Sequence, residues 1–328
     1  MSGVPVVDLV PARQGSSADR RRVARQIDDA CCDIGFFTVA GHGVPEGVAK
    51  DLRETAHAFF ALPLGEKLTA GHPIAGTPRG YHALAGEALA RANDEVVPPD
   101  LKEFYHVGPV EVGHDPYFTS ERGRRFFLPN VWPARPERFR DAATVYYRTM
   151  DRLVVFLMRL VALALDLEES FFDDKVTRSI GTMRLNYYPR QLEPPHPGQL
   201  RAGAHTDYGS ITVLNGEDVP GGLQVRTRGG DWIDVHTPPE HFVVNVGDLL
   251  MRWTNDRWIS TRHRVVNPPP IDALNRPRLS VAFFNHPNYD VMIECIGPAG
   301  TAKYAPVLSG DYRDGKYSKT GLKTATAT

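Results

Sequence analysis

Cysteine is scarce in this chain: Cys31, Cys32 and Cys295 are the only three in 328 residues. An odd count with no Cys-x-x-Cys spacing argues against a disulfide framework and a thiolate zinc site, and fits structural thiols in a reducing cytoplasm. A surplus of one charge is also missing. Lys plus Arg is 38 and Asp plus Glu is 39, a formal net charge of −1. That balance gives no electrostatic case for a nucleic-acid or membrane partner, and a run such as Arg20-Arg21-Arg22 reads as a solvated helix face. Long hydrophobic runs are absent as well. The longest apolar stretch, near Leu153 to Leu167, is broken by Arg159 and Asp166 and is too short to span a bilayer. The opening MSGVPVVDLV has no basic stretch followed by an apolar run, so a cytoplasmic protein without a signal peptide is expected. No internal repeat is visible.

What is present is an apolar content of 42%, ample for a buried core. The first half reads as mainly helical around a little strand. Val4 to Leu9 and Phe36 to Val39 are β-like, and helical spacing of apolar residues runs over 20–34 and 46–60. The stretch 62–136, rich in Pro, Gly and charge, reads as loops with short elements. A long helix is expected over about 137–165, with Phe139, Tyr146, Met150, Leu153, Leu157 and Val161 on one stripe. Near Gly181 the texture changes to short β-branched and aromatic runs: 183–188, 211–214, 222–225, 232–235, 241–246, 263–266 and 279–284. Turn signals separate them, so a sandwich or barrel of two β-layers with a helical flank is expected.

Ala204-His205-Thr206-Asp207 carries the first chemical signal. In extended chain, residues i and i+2 project from one face, which puts an imidazole and a carboxylate side by side. His263 offers a third donor. Two neutral nitrogens and one anionic oxygen with open positions opposite form the facial triad of non-haem iron(II) oxygenases, although the same donors would also hold zinc with a water. Composition alone produces roughly one His-x-Asp among twelve histidines, so the pair needs support from elsewhere. Arg278-Leu279-Ser280 supplies it. Arg278 and Ser280 share a strand face, and a buried guanidinium is costly without an anion to hold. The distal end of a short dicarboxylic keto acid would suit it. Asn186 and Tyr188 share a face of their own run and add polar ends to the same site.

These segments resemble the isopenicillin N synthase-like class of iron(II)/2-oxoglutarate dioxygenases. The resemblance is carried by RLNYYP at 184–189, HTDYGSITVL at 205–214, PGGLQV at 220–225, VVNVGDLLMRWTN at 243–255, STRHRV at 260–265 and RLSVAFF at 278–284. VPVVDL at 4–9, GFFTVAGHGVP at 35–45, KEFYHVG at 102–108 and LPNVWP at 128–133 extend it upstream. It implies a double-stranded β-helix (jelly-roll) core, with an N-terminal region over 1–135, a backbone helix over 136–180, the core over 181–300 and a tail over 301–328. It implies His205, Asp207 and His263 as Fe(II) ligands, and Arg278 and Ser280 at the 2-oxoglutarate carboxylate with Tyr188 and Asn186 assisting. It also implies O2 as oxidant, and decarboxylation of 2-oxoglutarate to succinate and CO2 as a small molecule is hydroxylated, desaturated or cyclised.

Asn215-Gly216-Glu217-Asp218-Val219 departs from the usual pattern and reads as a surface hairpin. Candidate substrate contacts are Arg79, Phe104, Tyr105, Phe283 and Phe284. The polar tail from about Tyr304 reads as a lid or a disordered end. A composition rich in Ala, Arg and Pro suggests a high-GC bacterium, and with it a tailoring role in secondary metabolism. Two other readings stay open at this point. One is a same-fold iron oxidase that does not use 2-oxoglutarate, of the isopenicillin N synthase or ethylene-forming type. The other is a non-catalytic metal- or ligand-binding jelly roll.

Overall fold

A computed structural model describes residues 3–74, 76–84, 86–90, 98–270, 275–298 and 300–320. Its main strands are β1 (Val6–Asp8), β2 (Phe36–Ala40), β3 (Gly80–His82), β4 (Glu103–Val107), β5 (Thr182–Tyr188), β6 (Ala202–His205), β7 (Ile211–Gly216), β8 (Leu223–Arg226), β9 (Trp232–Asp234), β10 (Phe242–Val246), β11 (His263–Val265) and β12 (Arg278–Phe284). Eight form a large sheet in the order β1-β2-β10-β7-β12-β5-β4-β3, and four form a smaller one in the order β6-β11-β8-β9. The helices that matter here are α1 (Ser17–Asp33), α2 (Glu46–Phe60), α3 (Phe139–Ala164), α4 (Asp248–Trp253) and α5 (Ser309–Thr320).

Period-two alternation decides which face of the large sheet meets what. Leu279, Val281 and Phe283 on β12, Met183 and Leu185 on β5, and Tyr105 and Val107 on β4 point outward, into one apolar cluster with α2 and α3. Phe283 meets Tyr147 edge to face at 4.9 Å, and Tyr105 meets Phe59 and Phe139 at 5.1 and 4.8 Å. The opposite face looks toward the small sheet, where Phe36, Leu223, Val225, Val235 and Val243 form a separate core. The two β-layers with helices on one side are the double-stranded β-helix expected from the motifs.

The differences from the sequence reading have local causes. Helix α1 starts three residues earlier than its apolar spacing indicates, because Ser16 and Asp19 form a reciprocal capping box at its N-terminus. The loop-like stretch 62–136 hides β3 and β4, which extend the large sheet beyond β5. The tail is not simply loose. It forms α5, where the Arg313 guanidinium donates to the Ile180 carbonyl at 3.0 Å and Tyr312 and Lys316 both reach Asp248. Residues 321–328 of that tail lie outside the described residues. No helix among the described residues is long and apolar enough to cross a membrane.

Phe283 is wholly buried on the helical side of β12. Its truncation to Ala is therefore expected to cost about 3–5 kcal/mol of stability. Substrate preference of the residual folded enzyme should be unchanged. Chemical denaturation checks the first statement and a substrate panel checks the second.

Candidate active site

One cavity of about 900 Å³ of empty space, its open mouth included, lies between the two sheets. Register explains its polar lining. On the inner face, Arg278 pairs with Tyr188, Ser280 with Asn186, and Ala282 with Arg184, so β12 and β5 present matched rows. Strand β7 adds Gly216, Leu214 and Thr212 opposite Ser280, Ala282 and Phe284, and β10 brings Asn245 opposite Thr212. From the small sheet, β6 and β11 pair His205 directly with His263.

His205, Asp207 and His263 each offer one donor atom, and those atoms lie within 4.8 Å of one another. Asp207 Oδ1 is 3.9 Å from His205 Nε2 and 3.7 Å from His263 Nε2. Each imidazole is held from behind. His205 Nδ1–H donates to the Gly203 carbonyl at 2.7 Å and His263 Nδ1–H to the Thr261 carbonyl at 3.1 Å, which leaves both Nε2 lone pairs facing inward. Asn245 Nδ2 donates to Asp207 Oδ2 at 2.7 Å and leaves Oδ1 for the shared point. Burial, with His263 alongside, pushes the His205 imidazole down to about 3, so it is neutral, as a metal ligand must be. Burial pushes the Asp207 carboxyl up, but His263 and His205 outweigh it and hold the group below the usual carboxylate range.

The turn after the aspartate is fixed by contact too close for side chains. A Cβ on Gly209 would lie 2.0 Å from the Asn285 carbonyl oxygen, and one on Gly247 would lie 2.3 Å from the Gly209 oxygen. Asp248 N–H then donates to the Asp207 carbonyl at 2.8 Å, tying the start of α4 to the site. This donor set suits a divalent first-row metal, with no donor from the described residues filling the opposite side. Asn245→Ala is expected to weaken iron binding about 10–100-fold, because it frees the carboxylate that it orients. Metal-competition titration reads this directly.

Arg278 is 1% exposed, and no carboxylate pairs with it among the described residues. Its Nε donates to the Glu217 carbonyl at 3.1 Å, while Nη1 is buried without a hydrogen-bond partner among the described residues. Burial pushes the guanidinium down from its ordinary value, with Tyr188 beside it at 5.5 Å from ring centroid to Cζ. An unsatisfied buried cation aimed into a cavity is an anion site, and the Ser280 side chain one row along adds a hydroxyl there. The loop 215–219 is more than a surface hairpin. Glu217 accepts from Leu279 N–H at 2.8 Å and from His57 at 2.6 Å, which presses its carbonyl against Arg278.

The five candidate substrate contacts divide. Phe284 lines the cavity. Phe283 and Tyr105 face the helices instead, for the alternation reason given above. Phe104 is on the inner face but is covered, stacked on His82 at 4.5 Å and lying under the Arg184 guanidinium. Arg79 is neither a solvated loop charge nor a cavity residue. It is 1% exposed and donates to the main-chain carbonyls of Leu128, Pro78 and Phe126. Residues 91–97, in the loop-rich stretch between Arg79 and Phe104, lie outside the described residues. Sequence reasoning missed Asn245, whose signal was a polar residue on the inner parity of an apolar strand. It also missed Glu87, Lys102, Tyr208 and Tyr317, which line the cavity from loops and from α5 without any local pattern.

Residues 4–135 match the family model described as non-haem dioxygenase in morphine synthesis N-terminal, and residues 179–287 match the 2OG-Fe(II) oxygenase superfamily. The chain is 34% identical to the 2-oxoglutarate-Fe(II) type oxidoreductase hxnY of Emericella nidulans, over 96% of this chain and 89% of that protein. It is 32% identical to a homoarginine-6-hydroxylase of Oryza sativa subsp. japonica, over 94% of each. A full-length Neurospora crassa protein, solved in complex with alpha-KG and thymine, superposes with a TM-score of 0.83, at 31% identity and over 96% of both chains. The chain belongs to the 2OG-Fe(II) oxygenase superfamily and is a dioxygenase that uses Fe(II), 2-oxoglutarate and O2.

Proposed function

We propose that this dioxygenase oxidises a C–H bond of a small-molecule metabolite, with His205, Asp207 and His263 as its iron ligands and Arg278 and Ser280 as the grip on 2-oxoglutarate. The observation that carries this reading is a single juxtaposition. Three metal donors and a buried guanidinium without a carboxylate partner among the described residues line the same cavity. Its polar groups are matched to the cosubstrate: one face for a metal, one end for a carboxylate.

When bound, Fe(II) with O2 and 2-oxoglutarate supplies the oxidising power, and the cosubstrate leaves as succinate and CO2. The chain's own residues bind and orient. Arg278 supplies a charge-assisted contact to the distal carboxylate, and Ser280 and Tyr188 border it. Asn186 stands between those groups and Arg184 on the same strand face, where it adds an amide to the wall. Asn245 and the carbonyls of Gly203 and Thr261 hold the three donors in one orientation, so no reorganisation is needed when the metal binds. Leu214, Leu223, Val265, Ala282 and Phe284 make the remaining wall apolar, which excludes water from the reacting centre.

A small-molecule substrate is supported by the relatives, whose names include homoarginine and validamycin A, and by the thymine complex of the Neurospora protein. They come from fungi, plants and bacteria; a tailoring role in bacterial secondary metabolism is carried by the composition of this chain alone. Screening candidate metabolites with the iron-loaded enzyme tests the proposal. One succinate should form per oxidised product. Product formed with succinate at background would contradict it.

A further inference from the structure

Beyond the metal and Arg278, the cavity contains a second cluster of charge that the proposed cosubstrate site does not use. Arg184, on the same β5 face as Asn186 and Tyr188, donates through Nη1 to both oxygens of Glu87, at 2.9 and 3.2 Å. Lys102 Nζ lies 3.0 Å from Glu87 and 3.0 Å from Asp100. All four side chains are at least nine-tenths buried, and Arg184, Glu87 and Lys102 line the cavity. Burial pushes the Glu87 carboxyl up, but Arg184 and Lys102 outweigh it and hold it at about 2. For Arg184 and Lys102 burial works downward, and their anionic partners more than offset it. Two cations and two anions therefore face each other as a neutral set.

The set is incompletely satisfied on the side of the cavity. Among the described residues, Arg184 Nε is buried with no hydrogen-bond partner. Tyr208, which follows the proposed ligand Asp207, also has a buried hydroxyl without a hydrogen-bond partner among the described residues, and it interacts electrostatically with both Glu87 and Arg184. Phe284 lies 5.8 Å from the Arg184 guanidinium, and Ala282 and Leu214 share its row. Arg184 is four residues from Tyr188, the partner of Arg278, so the two guanidinium rows stand about 13 Å apart along the strand. One short cosubstrate cannot reach both.

We propose that Arg184, with Glu87 and Lys102 behind it and Tyr208 beside it, is the recognition site for the substrate, and that it selects a neutral molecule carrying an amide or lactam carbonyl. This rests on the cosubstrate assignment made above. A carbonyl oxygen can accept from the Nε–H of Arg184, and an adjacent N–H can donate to Tyr208. A carboxylate placed there meets Glu87, and an ammonium meets Arg184 and Lys102. Either ion gives up its hydration without a net opposite charge to replace it.

Three probes of one ring size separate the cases: 2-piperidone, cyclohexanecarboxylate and cyclohexylammonium. Their binding to the anaerobic enzyme loaded with Fe(II) and 2-oxoglutarate is followed by equilibrium dialysis. The visible band of the iron and 2-oxoglutarate complex is recorded in the same samples. For the wild type the lactam should bind at least about tenfold more tightly than either ion. Glu87→Gln gives the set a net positive charge and should swing preference to the carboxylate; Arg184→Gln gives it a net negative charge and should swing preference to the ammonium. Two variants of opposite sign guard against simple misfolding, since a damaged protein loses all three probes together and its band. An ion preferred by the wild type, equal binding of the three, no lactam binding at millimolar concentration, or lactam binding that survives Arg184→Gln overturns this proposal. A wild type that gives no band fails one step earlier, at the iron and cosubstrate sites, and leaves the two failures distinguishable.

Discussion

Asp207→Ala is expected to abolish coupled turnover, with kcat/KM falling at least about 10³-fold, the several kcal/mol that a bound metal supplies at a reacting centre. Asp207 is the one anion of the triad, and its Oδ1 is the oxygen nearest both imidazole Nε2 atoms. Removing it leaves two neutral nitrogens and strands the Asn245 amide that now donates to Oδ2. Iron content after loading should fall to background while the fold survives, because the carboxylate lies in a cavity and its hydrogen bonds go to the side chains of Asn245 and Thr212 rather than to the main-chain ladder. Metal analysis with circular dichroism on the same sample checks both halves. Wild-type iron content in the variant would show that the metal is held elsewhere.

Arg278→Leu should raise the Kd for 2-oxoglutarate about 10²–10³-fold, the effect of deleting one partner of a desolvated charge pair. The informative companion is stability without cosubstrate. In the protein alone Arg278 donates to the Glu217 carbonyl and makes no close ion pair among the described residues, the Glu217 and Asp218 carboxylates acting on it only from farther off. Its replacement by Leu should therefore change the apoprotein by no more than about 1.5 kcal/mol, and relief of a buried cation without a close counter-ion opposes that loss. Saturating 2-oxoglutarate at about a hundred times Kd stabilises the wild type by about 2.7 kcal/mol through mass action, and the variant should lose this gain. Thermal denaturation with and without 2-oxoglutarate reads the contrast. A structural arginine would show the reverse: a large loss in the apoprotein and an unchanged ligand effect.

Much of the second half was legible because its signals are local. Alternation over 278–284 and 183–188 set which side chains face inward, and that put Arg278, Ser280, Asn186 and Tyr188 into one cavity. The two-residue spacing of His205 and Asp207 did the same at the end of β6. The same parity separates Phe283 from Phe284: Phe284 shares the face of Arg278 and Ser280, while Phe283 goes with Leu279 and Val281 to the helices. Burial by distant chain is what the sequence hides. Arg79 looks like an exposed charge until the carbonyls of Phe126 and Leu128, nearly 50 residues away, arrive to accept from it. Glu87, Lys102 and Arg184 come from three separate stretches, and their neutrality as a set appears only in three dimensions. Tyr317 reaches the cavity because α5 is anchored through Asp248 and Ile180, contacts that the polar tail composition does not announce. The relatives, named as 2-oxoglutarate-Fe(II) type oxidoreductases and dioxygenases, favour 2-oxoglutarate use over the two readings that the residues alone left open, a non-catalytic jelly roll and an iron oxidase without 2-oxoglutarate.

The most direct test is an anaerobic titration of the apoprotein with Fe(II) and 2-oxoglutarate, followed in the visible. A weak charge-transfer band should grow to saturation with the wild type, vanish in Asp207→Ala, and require far more 2-oxoglutarate in Arg278→Leu. A band of wild-type intensity in Asp207→Ala would contradict the metal assignment, and an Arg278→Leu curve that overlies the wild type would contradict the cosubstrate assignment.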